Sequence, residues 1–198
     1  MGAIFQSLSR TVIAGFVLLL VILAAVTAMG GKGFAPGEAY WWALVARWLH
    51  ITFGVMWIGL LWYFNFVQMP SMPKIPDEQK PAISKVIAPT ALMWFRHAAL
   101  WTVITGLTVA SMNGYVMKAL MLEAGSRAIG IGMWMALIMA FNVWFIIWPN
   151  QKKALGIVTV TPEEKAKAAR TAMLASRFNT MFSFPMLFCM AAQSHGGF

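Results

Sequence analysis

Five long apolar stretches, separated by short polar breaks, set the pattern of the chain. They run over residues 11–30, 41–67, 87–112, 127–148 and 172–194, and the first contains no charged side chain. Each is long enough to form a helix of about 20 residues, the length that crosses a hydrocarbon core about 30 Å thick at about 1.5 Å per residue. The first stretch exceeds the usual core of a signal peptide, and Met29-Gly30-Gly31-Lys32 after it is a poor cleavage site. It is therefore read as an uncleaved helix.

The breaks are equally plain. In Met69-Pro70-Ser71-Met72-Pro73-Lys74-Ile75-Pro76, three prolines stand in seven positions, 70–76. Proline removes a backbone donor and crowds the preceding turn, so a loop is expected there. Thr161-Pro162-Glu163-Glu164 has a capping hydroxyl, proline at the first helical position and a glutamate three residues after the cap. That combination starts a helix, and residues 163–170 then form a charged, solvated extension into the fifth stretch. The expected fold is all-α: an integral membrane helical bundle of about five transmembrane helices forming one domain over 1–198, without internal repeats.

Composition agrees with the pattern. Hydrophobic residues make up 60% of the 198 and charged ones only 11%, against about 45–50% and about 25% in soluble domains. Sixteen Met and ten Trp suit irregular packing in lipid and the headgroup boundary. A formal net charge of +9 would point to nucleic acid in a soluble protein, but here its placement is topological and no nucleic acid is expected as a partner. The N-terminal head and the breaks after the second and fourth stretches carry Arg10, Lys74, Lys80, Lys85, Lys152, Lys153, Lys165, Lys167 and Arg170; the opposite side carries Lys32, Lys118 and Arg127. Positive residues favour the cytoplasmic side. This predicts a multi-pass protein of a bacterial inner (cytoplasmic) membrane, N-terminus cytoplasmic and C-terminus periplasmic.

Ionisable residues inside apolar spans are costly and so are candidates for function. They are Arg47 and His50 in the second stretch, Arg96 and His97 in the third, and Arg177 and His195 in or at the end of the fifth. All six acids, Glu38, Asp77, Glu78, Glu123, Glu163 and Glu164, fall outside the stretches, so the arginines have no carboxylate at their own depth. They can snorkel to the interface or bind backbone carbonyls. An anionic ligand also resolves the imbalance, and haem b does so with two propionates while taking neutral imidazoles as axial ligands.

Arg47 and His50 share a helix face, with Gly54 one turn on, where a flat ring could approach. Trp48, Trp57, Trp94, Phe95 and Trp101 could wall such a ring or be plain core. By depth, His50 and His97 lie within about 4 Å of a common level, whereas His195 needs its helix to extend or tilt. His50 is thus expected as a metal ligand with either His97 or His195 opposite, and Arg47, Arg96 and Arg177 as propionate or anion partners. There is no HExxH, no paired carboxylates and no CxxCH for covalent haem. Cys189, the single cysteine, lies in an apolar run and is read as a small core residue.

Several segments together resemble one family. They are Arg47-Trp48-Leu49-His50 followed by 53–60, Tyr63-Phe64-Asn65-Phe66-Val67-Gln68, Trp94-Phe95-Arg96, 142–152, Ser176-Arg177-Phe178-Asn179-Thr180, and Pro185-Met186-Leu187-Phe188 through to His195. Over roughly residues 41–112 and 141–195 the chain resembles the membrane domain of bacterial membrane-bound urate oxidases, which carry a c-type cytochrome domain after it. The resemblance implies an oxidoreductase module passing electrons toward the outer side. With no CxxCH, this chain is expected to lack that cytochrome domain and to meet a c-type cytochrome or other membrane subunits as partners. The leading expectation is a haem b-binding electron-transfer subunit. The alternatives are a membrane oxidase of urate or another small anion, and a cofactor-free accessory subunit of a larger membrane complex.

Overall fold

A computed structural model describes residues 2–196, and their regular structure is helical throughout, without a strand. The chain divides into two compact units, residues 1–45 and 46–198. The first holds helix α1 (Leu8–Ala28), whose 21 residues include no buried side chain. A helix apolar on every face is suited to lipid or to a surrounding of other helices. Beyond it the chain turns: the Phe34 amide donates to Thr27 Oγ1 at 2.9 Å, and the Phe34 ring meets Trp41 edge-on at 5.3 Å.

Helix α2 (Ala39–Trp62) runs from the first unit into the second. The second unit then adds α3 (Ala88–Met112), the short α4 (Val116–Leu120), α5 (Arg127–Phe141) and α6 (Pro162–Gln193). The expected loop at Pro70 begins later than predicted. Helix continues past Trp62 through a π segment, Tyr63–Gln68, a turn of α-helix, Met69–Ser71, and a 3₁₀ turn, Met72–Lys74.

The same device recurs before Pro89 and Pro149, where π segments span Ile83–Ile87 and Asn142–Ile147. In all three, the residue before the proline donates five residues back: Met69 to the Phe64 carbonyl, Ala88 to Ile83, Trp148 to Val143. Proline lacks the next donor and its ring would strike the carbonyl four residues back. Widening the turn by one residue relieves that clash and lets the helix go on. After the third π segment, α5 is prolonged by Trp148–Ala154.

Helix α6 packs along α5 and its continuation, and α3 contacts both α4 and α5. The core joins Trp57, Leu61 and Phe64 with Leu92, Phe95 and Ala99 of α3, Met139 and Val143 of the α5 arm, and Met186 of α6. At Gly132 a Cβ would lie 3.1 Å from the Cβ of Cys189, so the missing side chain lets α5 and α6 approach closely, as small residues do in membrane helix pairs. Cys189 is buried, as expected of a core residue. Thr161 caps α6 by accepting from the Glu164 amide at 3.2 Å, with Pro162 opening the helix.

A polar seam runs through this apolar core. Asn142 Nδ2 donates to Asn179 Oδ1 at 2.9 Å, and Asn179 Nδ2 donates to the Met139 carbonyl at 2.9 Å. Trp62 Nε1 donates to Ser183 Oγ, and Asn65 Nδ2 to Ser176 Oγ. Asn65 and Asn142 both sit in π segments, where the altered helical register turns them toward α6.

Among the described residues, three helical runs are long and apolar enough to cross a membrane: Leu8–Ala28, Ala39–Lys74 and Arg127–Ala154. Large apolar side chains face outward on the second and third, such as Val55 at 69% and Phe145 at 67% exposure. Lipid, not water, suits such a surface.

Candidate functional site

A cavity of about 480 Å³ opens where α3 and α6 end. Helix α2 contributes Arg47, His50 and Ile51; α3 contributes Thr102, Val103, Gly106, Leu107 and Val109. Asn113 and Tyr115 close one side, Ile129, Met133, Ala136 and Leu137 of α5 another, and Met190, Gln193 and Ser194 the last. Its volume is in the range of small-molecule and cofactor sites, about 300–1,000 Å³.

His50 is held by α3. Its Nδ1 is 2.9 Å from the Thr102 carbonyl oxygen. A carbonyl only accepts, so Nδ1 carries the proton, and in the neutral imidazole Nε2 keeps its lone pair. The ring lies against Gly106, where a Cβ would come within 2.8 Å of Cε1 and 3.1 Å of Nδ1. Any larger residue at 106 would push the imidazole out of this position. An imidazole fixed through Nδ1 by a carbonyl, with Nε2 free, is how histidines are presented to metals or used as bases.

Arg47 lies on the same face of α2, one turn earlier, and lines the same cavity. Tyr115 stands outside the long helices. Burial raises its phenol above the ordinary value, while the Arg47 charge pulls the other way. At neutral pH it is a protonated hydrogen-bond donor. The side-chain oxygen of Gln193 is buried without a partner. The cavity thus offers one cation, the Nε2 side of an imidazole, a phenol donor, two amides and the hydroxyl residues Thr102 and Ser194 among apolar walls.

The other predicted residues stand elsewhere. His97 lines a separate, nearly apolar cavity of about 350 Å³ between α2 and α3, with Trp94 and Trp101. Its Nδ1 bonds the Met93 carbonyl at 2.8 Å, and its ring meets Trp144 edge-on at 5.8 Å. Arg96 stacks its guanidinium 3.8 Å from the centre of the Trp148 ring. Arg177 is exposed on α6, and His195 is exposed beyond its end with Nδ1 3.1 Å from the Ala191 carbonyl. Neither lines a cavity described here. Among the described residues, no three histidine, cysteine or acidic side chains converge to hold a metal ion.

The aromatics divide in the same way. Trp57 and Phe95 are fully buried core, Trp94 and Trp101 wall the His97 cavity, and none of these lines the Arg47–His50 cavity. Gly54 faces α3, where a Cβ would touch Thr102 Cγ2 at 3.9 Å. Gly106, in turn, makes room for the His50 imidazole itself. Asn113, Tyr115 and Gln193 were missed by the sequence reading because they flank the apolar stretches or sit at their edge, where polar residues are ordinary.

The far wall of the cavity also carries the family signal. Residues 121–197 match the urate oxidase N-terminal family. This C-terminal part of the chain is similar to that family. It supplies Ile129, Met133, Met190 and Gln193 to the cavity, while Arg47 and His50 lie before the matched segment. No curated protein and no solved structure matches the chain.

Proposed function

We propose that this chain is a membrane-embedded redox subunit related to the urate oxidases, and that the Arg47–His50 cavity holds haem b. The observation that carries the reading is His50, whose Nδ1 is tied to the Thr102 carbonyl while Nε2 is free beside an arginine, in a cavity of cofactor size. The donor set fits: His50 Nε2 would hold the iron and Arg47 would give a counter-charge for a propionate. Bound there, haem supplies one-electron transfer. The protein's part is to hold His50 in a single tautomer, to keep one cation at the rim, and to exclude water with Ile129, Met133 and Leu137. No second histidine lines this cavity.

In this reading α3 and α6 also cross the membrane, which gives five crossings with α1, α2 and α5. Both are long enough, at 25 and 32 residues. Their polar residues Thr102, Asn179 and Ser183 face neighbouring helices inside the unit and not lipid. The basic ends then set an N-terminus in the cytoplasm of a bacterial inner membrane, with a c-type cytochrome or another membrane subunit as electron partner.

A reduced-minus-oxidised difference spectrum of the purified, folded chain tests the proposal. Haem bands that vanish in His50→Ala are expected, and a folded wild-type chain without bands overturns it. A second reading is favoured by the unpaired Gln193 oxygen together with Tyr115 and Asn113: the cavity takes urate or a similar planar anion directly, against Arg47. Equilibrium binding of urate to haem-free protein, lost in Arg47→Gln, distinguishes that case.

A further inference from the structure

At the opposite end of α3 from that cavity, two cations share one indole. The Arg96 guanidinium lies 3.8 Å from the centre of the Trp148 ring, and Lys152 Nζ lies 5.7 Å from it, one helical turn further on. The arrangement is held from behind, because Trp144 Nε1 donates to the Arg96 carbonyl at 3.1 Å and so pins the two helices together. Neither cation has a carboxylate. Among the described residues the sole ion pair is Lys80–Asp77, and Arg96 Nη1 is buried without any hydrogen-bond partner.

Stacking on an indole offsets part of the cost of desolvating a guanidinium, but leaves its charge unneutralised. Two cations over one indole repel each other, and a bound anion would offset that repulsion. Tryptophan and lysine at a helix end favour the headgroup layer. Trp148, Lys152 and Lys153 follow the apolar part of the α5 arm, on the lysine-rich side of the chain, where anionic lipid concentrates.

We propose that Arg96, Trp148 and Lys152 form a binding site for the phosphate of an anionic phospholipid headgroup. Arg96 and Lys152 bind the phosphate oxygens, and Trp148 fixes the height of the site and the plane of the guanidinium. The site is separate from the Arg47–His50 cavity and depends on the chain's being in a membrane, not on haem.

Native mass spectrometry of the full-length chain released from nanodiscs of phosphatidylcholine, alone or mixed with phosphatidylglycerol, tests this. Phosphatidylglycerol is expected to stay bound to the wild type. Its affinity should fall about fivefold in Lys152→Gln and at least as much in Arg96→Gln, the scale of one cation near an anionic headgroup. Arg177→Gln, an exposed arginine elsewhere, should retain it. If Arg96→Gln fails to fold, Lys152→Gln carries the comparison, since its side chain packs into no core. Equal retention in wild type and Lys152→Gln overturns the proposal. Inorganic phosphate added to the detergent-solubilised chain is expected to give no thermal stabilisation, and stabilisation equal to that by phosphatidylglycerol overturns the lipid assignment.

Discussion

The polar seam between α5 and α6 and the cavity at Arg47 and His50 are built from similar side chains put to opposite use. In the seam, Asn142, Asn179, Asn65 and Trp62 each send a donor to a protein acceptor within 3 Å. In the cavity, His50 spends one nitrogen on Thr102 and keeps the other free, and Gln193 keeps an oxygen unpaired. Polar groups satisfied within the protein fix which helix faces meet. Polar groups left open toward a cavity have capacity for a ligand. Leftover capacity alone does not set the cavity apart, because Asn65 Oδ1 in the seam and Trp57 Nε1 in the core are also buried without a partner; the cavity differs in having room for a ligand beside its open groups.

The sharpest way to break that contrast is His50→Ala. It should weaken haem binding by more than the roughly 10–100-fold that a change behind a ligand costs, measured by haem titration, while helical content by circular dichroism stays at the wild-type level. Gly106→Ala comes next. Its new Cβ would meet the His50 ring at 2.8 Å, and displacing the ring from Thr102 should cost about 10–100-fold in the same titration. Unchanged affinity and spectrum in Gly106→Ala would show that the His50 orientation does not matter.

Asn179→Ala tests the other side. It strands the Asn142 side-chain amide and removes one of the bonds to the Met139 carbonyl, and should lower stability by about 1–2 kcal/mol, the scale of a buried hydrogen bond between membrane helices. Thermal unfolding in detergent reads this, and haem affinity of the folded fraction should not change. A parallel loss of affinity would mean that seam and cavity are one coupled unit.

The smallest effect belongs to the exposed pair Asp77–Lys80, 2.6 Å apart. The hydrogen bond and charge of Lys80 hold the Asp77 carboxyl below its ordinary value. A depressed carboxyl stabilises the fold above its unfolded pKa and loses that contribution as pH falls through the folded one. Asp77→Asn should therefore leave the melting temperature at neutral pH almost unchanged and remove only a slight dependence in the acid range. A neutral-pH shift as large as that of Asn179→Ala would contradict this ranking.

Much of the helical framework was legible along the chain. Apolar runs give helices because length and hydropathy are local properties, and the Thr161 cap needs only four adjacent residues. The stop expected at Pro70 failed for a local reason that sequence rules treat as a veto: a π turn takes up the proline clash and the helix continues. Arg47 and His50 could be paired beforehand because three residues on a helix share a face. His97 could not be separated from His50 by depth alone, since depth says nothing about which way each ring turns around its helix.

The sequence by itself determined that this is an all-helical, lipid-suited chain with uncompensated arginines and histidines in its apolar runs. Hydrophobicity, charge placement and helical period are properties of neighbouring residues. Only the tertiary structure decided that His50 meets the Thr102 carbonyl 52 positions away, that Gly106 makes room for its ring, and that Arg96 and His97 belong to other surroundings. Those outcomes depend on the rotation of each helix about its axis and the closeness of its neighbours, which are set by packing across the whole unit.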